Sequence, residues 1–446
     1  MDENKKRQRS DSLVRVVKVL AFFAALFVMG IIGLLWFLRP ETSEVEKRTL
    51  TKFPQITLAG IWDGSFFSGV DTWYADTYPL RESLIAANQS FQSYYGVRGD
   101  QLVGGSVQAD AIPTVEDTAP AEDAGPTPTP LPSPTPDGRV HVIGEMEGSV
   151  YITNNCAYGL YGFSQAGADA YINTMNQIYE RVKDKVNLYV MNVPVSASVM
   201  LDQAVIDDMG STNEGEAMEY VYGRLDPGIR TVNVYDNLVD HNREYIYFHT
   251  DHHWTQLGAY YAYEVFCQEK GFNPHLLEVF RTTEFGTNAY LGSYYTNSNK
   301  SPQLAVNPDT VYAWYPLCTD EETRDMYMVQ RDGNGYDWRI INDMFDYPDS
   351  EWYCVFAGAD QPFCSFHNEN ITDGSAIMVV KDSYGNAFVP WLVDHYEYVY
   401  WVDFRYTDET ISHMVEEYGV QDVLFETAMF NATGNLCNDL FAQIGQ

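Results

Sequence analysis

The feature that most limits what this chain can become is the run from Val19 to Leu38, VLAFFAALFVMGIIGLLWFL, which holds no charge, amide or hydroxyl. As a helix rising 1.5 Å per residue it reaches about 30 Å, one hydrocarbon core. The run predicts a single transmembrane helix. A cleavable signal would have a shorter apolar region ending in small residues, whereas Leu34, Trp36 and Phe37 lead directly into Arg39 and Pro40. Residues 1–18 carry Lys5, Lys6, Arg7, Arg9, Arg15 and Lys18 against Asp2, Glu3 and Asp11. By the positive-inside rule this basic tail is cytoplasmic, and everything after about Arg39 lies outside the cell membrane.

Beyond the apolar run the chain is acidic. Over 446 residues, 62 Asp and Glu against 27 Lys and Arg leave a formal net charge of −35, which repels phosphate backbones and excludes nucleic acid as a partner. The same field disfavours docking of the globular part on anionic lipid. Hydrophobic residues make up 45% and aromatic residues 15%, so a packed body is expected rather than a disordered acidic tail. Cys156, Cys267, Cys318, Cys354, Cys364 and Cys437 fall in the predicted exterior, where disulfides persist. No C-x-x-C occurs, so a thiolate zinc site or thioredoxin-like motif has no support, and the pairing stays open.

Residues 41–103 keep globular composition, with aromatic residues spaced as in amphipathic helices, and form the N-terminal part of the exterior domain. Residues 104–138 are rich in Pro, Thr, Ala and acids, which predicts a disordered insertion in one loop; Ala111 to Pro136 is expected to have no fixed structure. From 139 to 446 short apolar runs alternate with helical stretches. Strands are expected at Val186 to Val193, Thr231 to Tyr235, Ala376 to Val380, Tyr398 to Val402 and Val423 to Phe425. Helices are expected before Val186, near Ala387 to His395 and at Glu409 to Tyr418. This rhythm predicts an α/β fold with a mostly parallel sheet flanked by helices, and a ligand site at the carboxyl ends of the strands.

Two stretches carry chemistry. In FHTDHHWTQLGAYYAYEVFCQEKG, Thr255 is placed to cap a helix that Gly271 ends, so Asp251, His252, His253 and Trp254 sit on the turn entering it. An Asp two residues before a His on such a turn holds the ring, fixes its tautomer and stabilises the imidazolium. Other readings are a plain surface cap, or a metal site of His249, Asp251 and His253 pointing to one side of an extended backbone. In SAIMVVKDSYGNAFVPW, a strand ends at Val380 and a helix begins near Ala387. Ser383 then occupies the strand-to-helix turn, where nucleophiles sit, with Gly385 permitting close approach to nearby amides. Alone, Asp-Ser-Tyr-Gly is also an ordinary turn.

Asp251-His252-His253-Trp254 resembles the name-giving motif of the DHHW family, which is similar to the alginate O-acetyltransferase group of SGNH-hydrolase-like proteins. Those proteins carry Asp-x-His-Trp more than a hundred residues before the serine, the order found here. Further likeness lies in residues 53–85, around Gly144 to Tyr151, and in Val402-Asp403-Phe404-Arg405-Tyr406. The resemblance implies that Asp251 orients, His253 is the general base and Ser383 the nucleophile, with Trp254 completing the motif. One departure is Lys381, where the family's Gly-Asp-Ser block has Gly. Gly385, Asn386 and Asn192 are candidates for the oxyanion site, and Trp254 and Arg405 for substrate contact.

The reading that follows is a membrane-anchored extracellular serine O-acyltransferase that O-acetylates a cell-surface or secreted polysaccharide through an acyl-enzyme, with no metal or other cofactor. In related systems a polytopic membrane acyltransferase supplies the acyl group, so such a partner is implied by resemblance alone. A carbohydrate esterase with the same triad and a non-catalytic glycan-binding or scaffold protein, for which the many Trp and Tyr would serve in sugar stacking, remain as alternatives.

Overall fold

The computed structural model describes residues 42–43, 48–49, 52–54, 66, 70, 73–74, 77–78, 109–113 and 138–446, apart from 148, 321–322, 345–348 and 435–436. The expected membrane helix at 19–38 and most of the 104–138 insertion lie outside the described residues. Among the described residues no helix is long and apolar enough to cross a membrane. The chain divides into two compact units, residues 1–99 and 100–446. In the first, Thr42–Ser43 pairs antiparallel with Arg48–Thr49, and Phe53 meets Trp73 edge to face with ring centroids 4.8 Å apart. Asp110, inside the stretch expected to be unstructured, donates its backbone N–H to the Phe163 carbonyl at 2.9 Å, and Ile112 packs on the core of the second unit. At Asp110 to Ile112 the chain is therefore docked, the Asp110 carboxylate also accepting from the Gln165 N–H at 3.1 Å.

The second unit is built on an eight-stranded sheet. In chain order its strands are β1 (Asn187–Val193), β2 (Arg230–Thr231), β3 (Met326–Val329), β4 (Gly335–Trp338), β5 (Phe363–His367), β6 (Ala376–Lys381), β7 (Tyr398–Asp403) and β8 (Asp422–Ala428). Their spatial order is β4-β3-β5-β7-β6-β8-β1-β2. Strands β7, β6, β8, β1 and β2 pair in parallel, whereas β4, β3 and β5 pair antiparallel with one another and β5 antiparallel with β7. The fold is thus a mixed α/β one with a large central sheet flanked by helices. Every residue of β6 and β8 is buried, as a strand covered on both faces requires. Helices Gln165–Val182 and Gln256–Lys270 add their apolar faces to the same core cluster.

Three expectations are corrected. The sheet carries an antiparallel wing, β3 to β5, whose short strands gave no readable pattern. The segment expected as a strand from Thr231 to Tyr235 pairs only at Arg230–Thr231, and Tyr235 opens the helix Tyr235–Asp240. The helix expected at Ala387 to His395 is one turn, Gly385–Phe388, followed by a 3-10 turn, Val389–Trp391. Pro390 explains the break, since it has no N–H to donate to the carbonyl four residues back.

Candidate active site

Two segments far apart in sequence supply the site. The first is a narrow hairpin in which Tyr247 bridges Trp254 and the Phe248 N–H donates to the His253 carbonyl at 3.2 Å. The following helix begins as the sequence requires: the Thr255 hydroxyl accepts from the Gly258 N–H, and Gly271 ends it at φ 86°. The second segment is the turn after β6. Asp382 shapes that turn, its Oδ1 accepting from the Tyr384 N–H at 2.9 Å and its Oδ2 from the Ala428 N–H at 2.8 Å. A Cβ on Gly385 would lie 2.5 Å from Glu426 Oε2 and 2.6 Å from the Lys381 Cβ, so only glycine fits under this turn.

The segments are stapled across their backbones. Trp254 Nε1 donates to the Tyr384 carbonyl at 2.9 Å, and the Tyr384 hydroxyl donates back to the His252 carbonyl. Between these ties, His253 Nδ1 stands 2.6 Å from Asp251 Oδ1, and His253 Nε2 stands 2.7 Å from Ser383 Oγ. Because the carboxylate only accepts, Nδ1 carries the proton, leaving Nε2 to accept from the serine hydroxyl. Asp251 is itself fixed: Oδ1 also accepts from the His253 N–H at 3.1 Å and Oδ2 from the Ser293 N–H at 2.8 Å. Burial pushes the Asp251 carboxyl up, but the His253 and His252 rings and these hydrogen bonds hold it well below the usual carboxylate range.

His252 turns away from the serine, its Nδ1 standing 2.6 Å from Ser293 Oγ. Burial, with the adjacent His253, pushes its ring down to about 3. The ligand-type atoms that do cluster belong to Asp251, His252 and His253, within 4.8 Å of one another. His249, part of the set weighed from the sequence, is not among them; its ring lies 3.2 Å from Asp309 Oδ1.

The remaining candidates separate into those at the turn and those away from it. Asn386 follows the turn, but its amide N donates to Asp360 Oδ1 at 3.0 Å, and the Gly385 N–H donates to the Asp382 carbonyl at 3.2 Å. Asn192 lies in the core, donating to the Tyr171 hydroxyl at 3.1 Å and the Thr427 hydroxyl at 3.4 Å. Arg405 is gripped by Asp403, Nε to Oδ1 at 2.8 Å and Nη2 to Oδ2 at 2.6 Å, and reaches Asp360 at 3.0 Å. Lys381, where the family's glycine would stand, is fully buried and in register with Glu426 and Asp403. Burial and the nearby Asp382 push the Glu426 carboxyl up, against the opposing pull of Lys381.

One residue at the site carried no sequence signal. Tyr353 lies flat on His253, ring centroids 3.8 Å apart and planes at 7°, while its hydroxyl donates to the Ser383 carbonyl at 2.9 Å. It comes from a 3-10 helix, Asp349–Val355, with no motif and no periodicity to mark it.

The class is now defined: an α/β protein with a serine at a strand-end turn, hydrogen-bonded through histidine to a buried aspartate. The model of the family described as DHHW protein matches residues 46–122 and 137–402, and the chain belongs to that family. Among solved structures it is similar to a DHHW family protein from Eubacterium siraeum, with 27% identity, 70% of this chain and 98% of that one covered, and a TM-score of 0.57. It is also similar to Bacillus cereus PatB1, with 17% identity, 66% and 98% covered, and a TM-score of 0.55. Comparison with curated proteins finds no match.

Proposed function

We propose that the protein is a serine O-acyltransferase, an O-acetyltransferase of a cell-surface or secreted polysaccharide, acting through a covalent acyl-enzyme. The observation that carries this reading is the unbroken chain from Asp251 Oδ1 through His253 to Ser383 Oγ, with contacts of 2.6 and 2.7 Å. In this reading His253 Nε2 takes the Ser383 proton as Oγ attacks the acyl carbonyl, and returns it to the leaving group. A sugar hydroxyl then attacks the ester while His253 removes its proton, and His253 passes that proton to Ser383 Oγ as the acyl–Oγ bond breaks. Asp251, held ionised, keeps the Nδ1–H tautomer and offsets the imidazolium charge. The Ser383 backbone amide, on the turn that carries the hydroxyl, is the donor assigned to the oxyanion in this reading. The SGNH-like character and the acetyl preference rest on the DHHW resemblance. The apolar run 19–38 with its basic flank supports a single-pass anchor with the catalytic unit outside, and a polytopic membrane protein as acyl donor.

The test is intact-mass and peptide analysis after exposure to p-nitrophenyl acetate. One acetyl group on the Ser383 peptide, absent from Ser383→Ala, is expected. No adduct on the wild-type chain, or an adduct that survives Ser383→Ala, would sink the proposal.

A further inference from the structure

The chain between the 3-10 helix that lays Tyr353 on His253 and the strand β5 takes a strained path. Ala357, Gly358 and Ala359 stand in succession at positive φ, 48°, 71° and 62°, a conformation that residues other than glycine avoid. The path is pinned at each carbonyl: Trp401 Nε1 donates to Ala357 at 3.0 Å, Gln361 Nε2 to Gly358 at 3.0 Å and Lys381 Nζ to Ala359 at 3.4 Å. Strain that the surroundings hold in place marks a segment whose geometry is used. What this one delivers is Asp360. Its Oδ1 accepts from Asn386 Nδ2 at 3.0 Å and lies 3.8 Å from Lys381 Nζ, and its Oδ2 pairs with Arg405 Nη2 at 3.0 Å. The end of β6, the serine turn and the run after β7 therefore meet on one carboxylate. Burial pushes that carboxyl up, but Lys381, Arg405, the Asn386 bond and His253 hold it below the usual range, so it faces the two cations ionised.

We propose that Asp360 is a positioning residue for the reaction at Ser383: its carboxylate holds Asn386 and with it the serine turn, and its negative charge keeps Lys381 and Arg405 from opposing the imidazolium that forms on His253. The inference rests on the serine O-acyl reading above. Lys381 gives the arrangement its reason, since a buried cation in place of the family's glycine needs an acid within reach. Asp403 already holds Arg405 by two bonds, and burial pushes the Glu426 and Asp382 carboxyls up. His253 is otherwise faced by Asp251, Ser383 and His252, the last neutral at neutral pH, and by the Tyr353 and Tyr384 rings. Burial keeps both tyrosine hydroxyls uncharged, as it does the Cys354 thiol that also feels the Asp360 charge.

The experiment follows turnover of p-nitrophenyl acetate by the full chain in detergent against pH, with calorimetry of each variant. In Asp360→Asn the acid limb of kcat/KM, which reports protonation of His253 in the free enzyme, is expected to move to lower pH by about half a unit to one unit, because an imidazolium near unbalanced cations is less stable. kcat should fall about three- to tenfold with KM nearly constant. Asp360→Ser removes the charge without turning an amide toward Lys381 or Arg405, and it should shift the limb the same way whether or not the Asn variant folds. Adding Lys381→Met to either restores the local charge balance and should bring the limb back toward wild type, which a merely structural loss would not do. A limb unmoved in the folded single variants, or a double variant further from wild type than the single, would overturn the proposal. Ser383→Ala, run alongside, separates the two readings: turnover lost there with an unmoved Asp360 limb sinks this inference alone, and turnover retained there sinks both.

Discussion

On one side of β7 the sheet is parallel and covered on both faces; on the other it is antiparallel and half wet. β6 and β8 are buried at every position, while Tyr327 in β3 and Tyr336 in β4 are 43% and 41% exposed. Parallel strands need crossovers that lay helices over the sheet, whereas an antiparallel wing closes with short loops and leaves a face in water. The serine stands at the end of the most enclosed strand. Its histidine hydrogen-bond partner comes from outside the sheet altogether, on a hairpin held by the Trp254 and Tyr384 ties. The comparison teaches that Ser383 is placed by the core and His253 by a few specific hydrogen bonds.

The sharpest way to break that division is at the chemistry. Ser383→Ala is expected to lower acetyl transfer by about 10³-fold or more with the melting temperature nearly unchanged, measured by turnover of an activated acetyl ester and by calorimetry. Asp251→Asn should cost about 10²- to 10⁴-fold, because the amide frees His253 to adopt the other tautomer. Ile377→Ala, at a fully buried position of β6, is expected to destabilise the fold by about 2–5 kcal/mol in denaturant unfolding. Tyr327→Thr in the antiparallel wing should cost much less, about 0.5–1 kcal/mol, since 43% of Tyr327 is already in solvent. Equal effects at Ile377 and Tyr327 would remove the distinction between the two halves.

The hairpin can be probed separately by pH. His252 has a folded value of about 3 against an ordinary 6.5, so the unfolded chain binds the proton first as pH falls. Its contribution to stability is full above about 6.5 and is lost progressively toward 3. His252→Gln is expected to flatten the fall in melting temperature across that window while leaving acetyl transfer far less affected than His253→Ala does. An unchanged pH slope would show that His252 charges freely in the folded state. A smaller effect is expected at Tyr353→Phe, which removes the bond to the Ser383 carbonyl but keeps the ring on His253. Turnover should fall about two- to tenfold with KM nearly constant, as the loss of about one neutral hydrogen bond implies.

How much could be read beforehand follows the same division. Val186 to Val193, Ala376 to Val380 and Tyr398 to Val402 were legible because a strand buried on both faces is a continuous apolar run, and β1, β6 and β7 match them to within a residue or two. β3, β4 and β5 were not, because four- and five-residue strands with one wet face lack both run and period. The Thr255 cap and the Gly271 stop were legible because capping is local. Tyr353, Asp360 and Ser293 were invisible, since nothing in a chain's linear order marks a side chain that meets its partner only after folding.

By itself the sequence determined the parallel core and the two turns, since periodicity and capping are properties of neighbours along the chain, while the DHHW resemblance singled out Asp251, His253 and Ser383. Only the tertiary structure decided that 130 residues of separation close to a 2.7 Å contact and that His252 is turned onto Ser293. It also decided that the amide nitrogens of Asn386 and Asn192 donate to Asp360, Tyr171 and Thr427. Those outcomes depend on which groups are left to satisfy one another once the core has excluded water, and that is a competition no local pattern records.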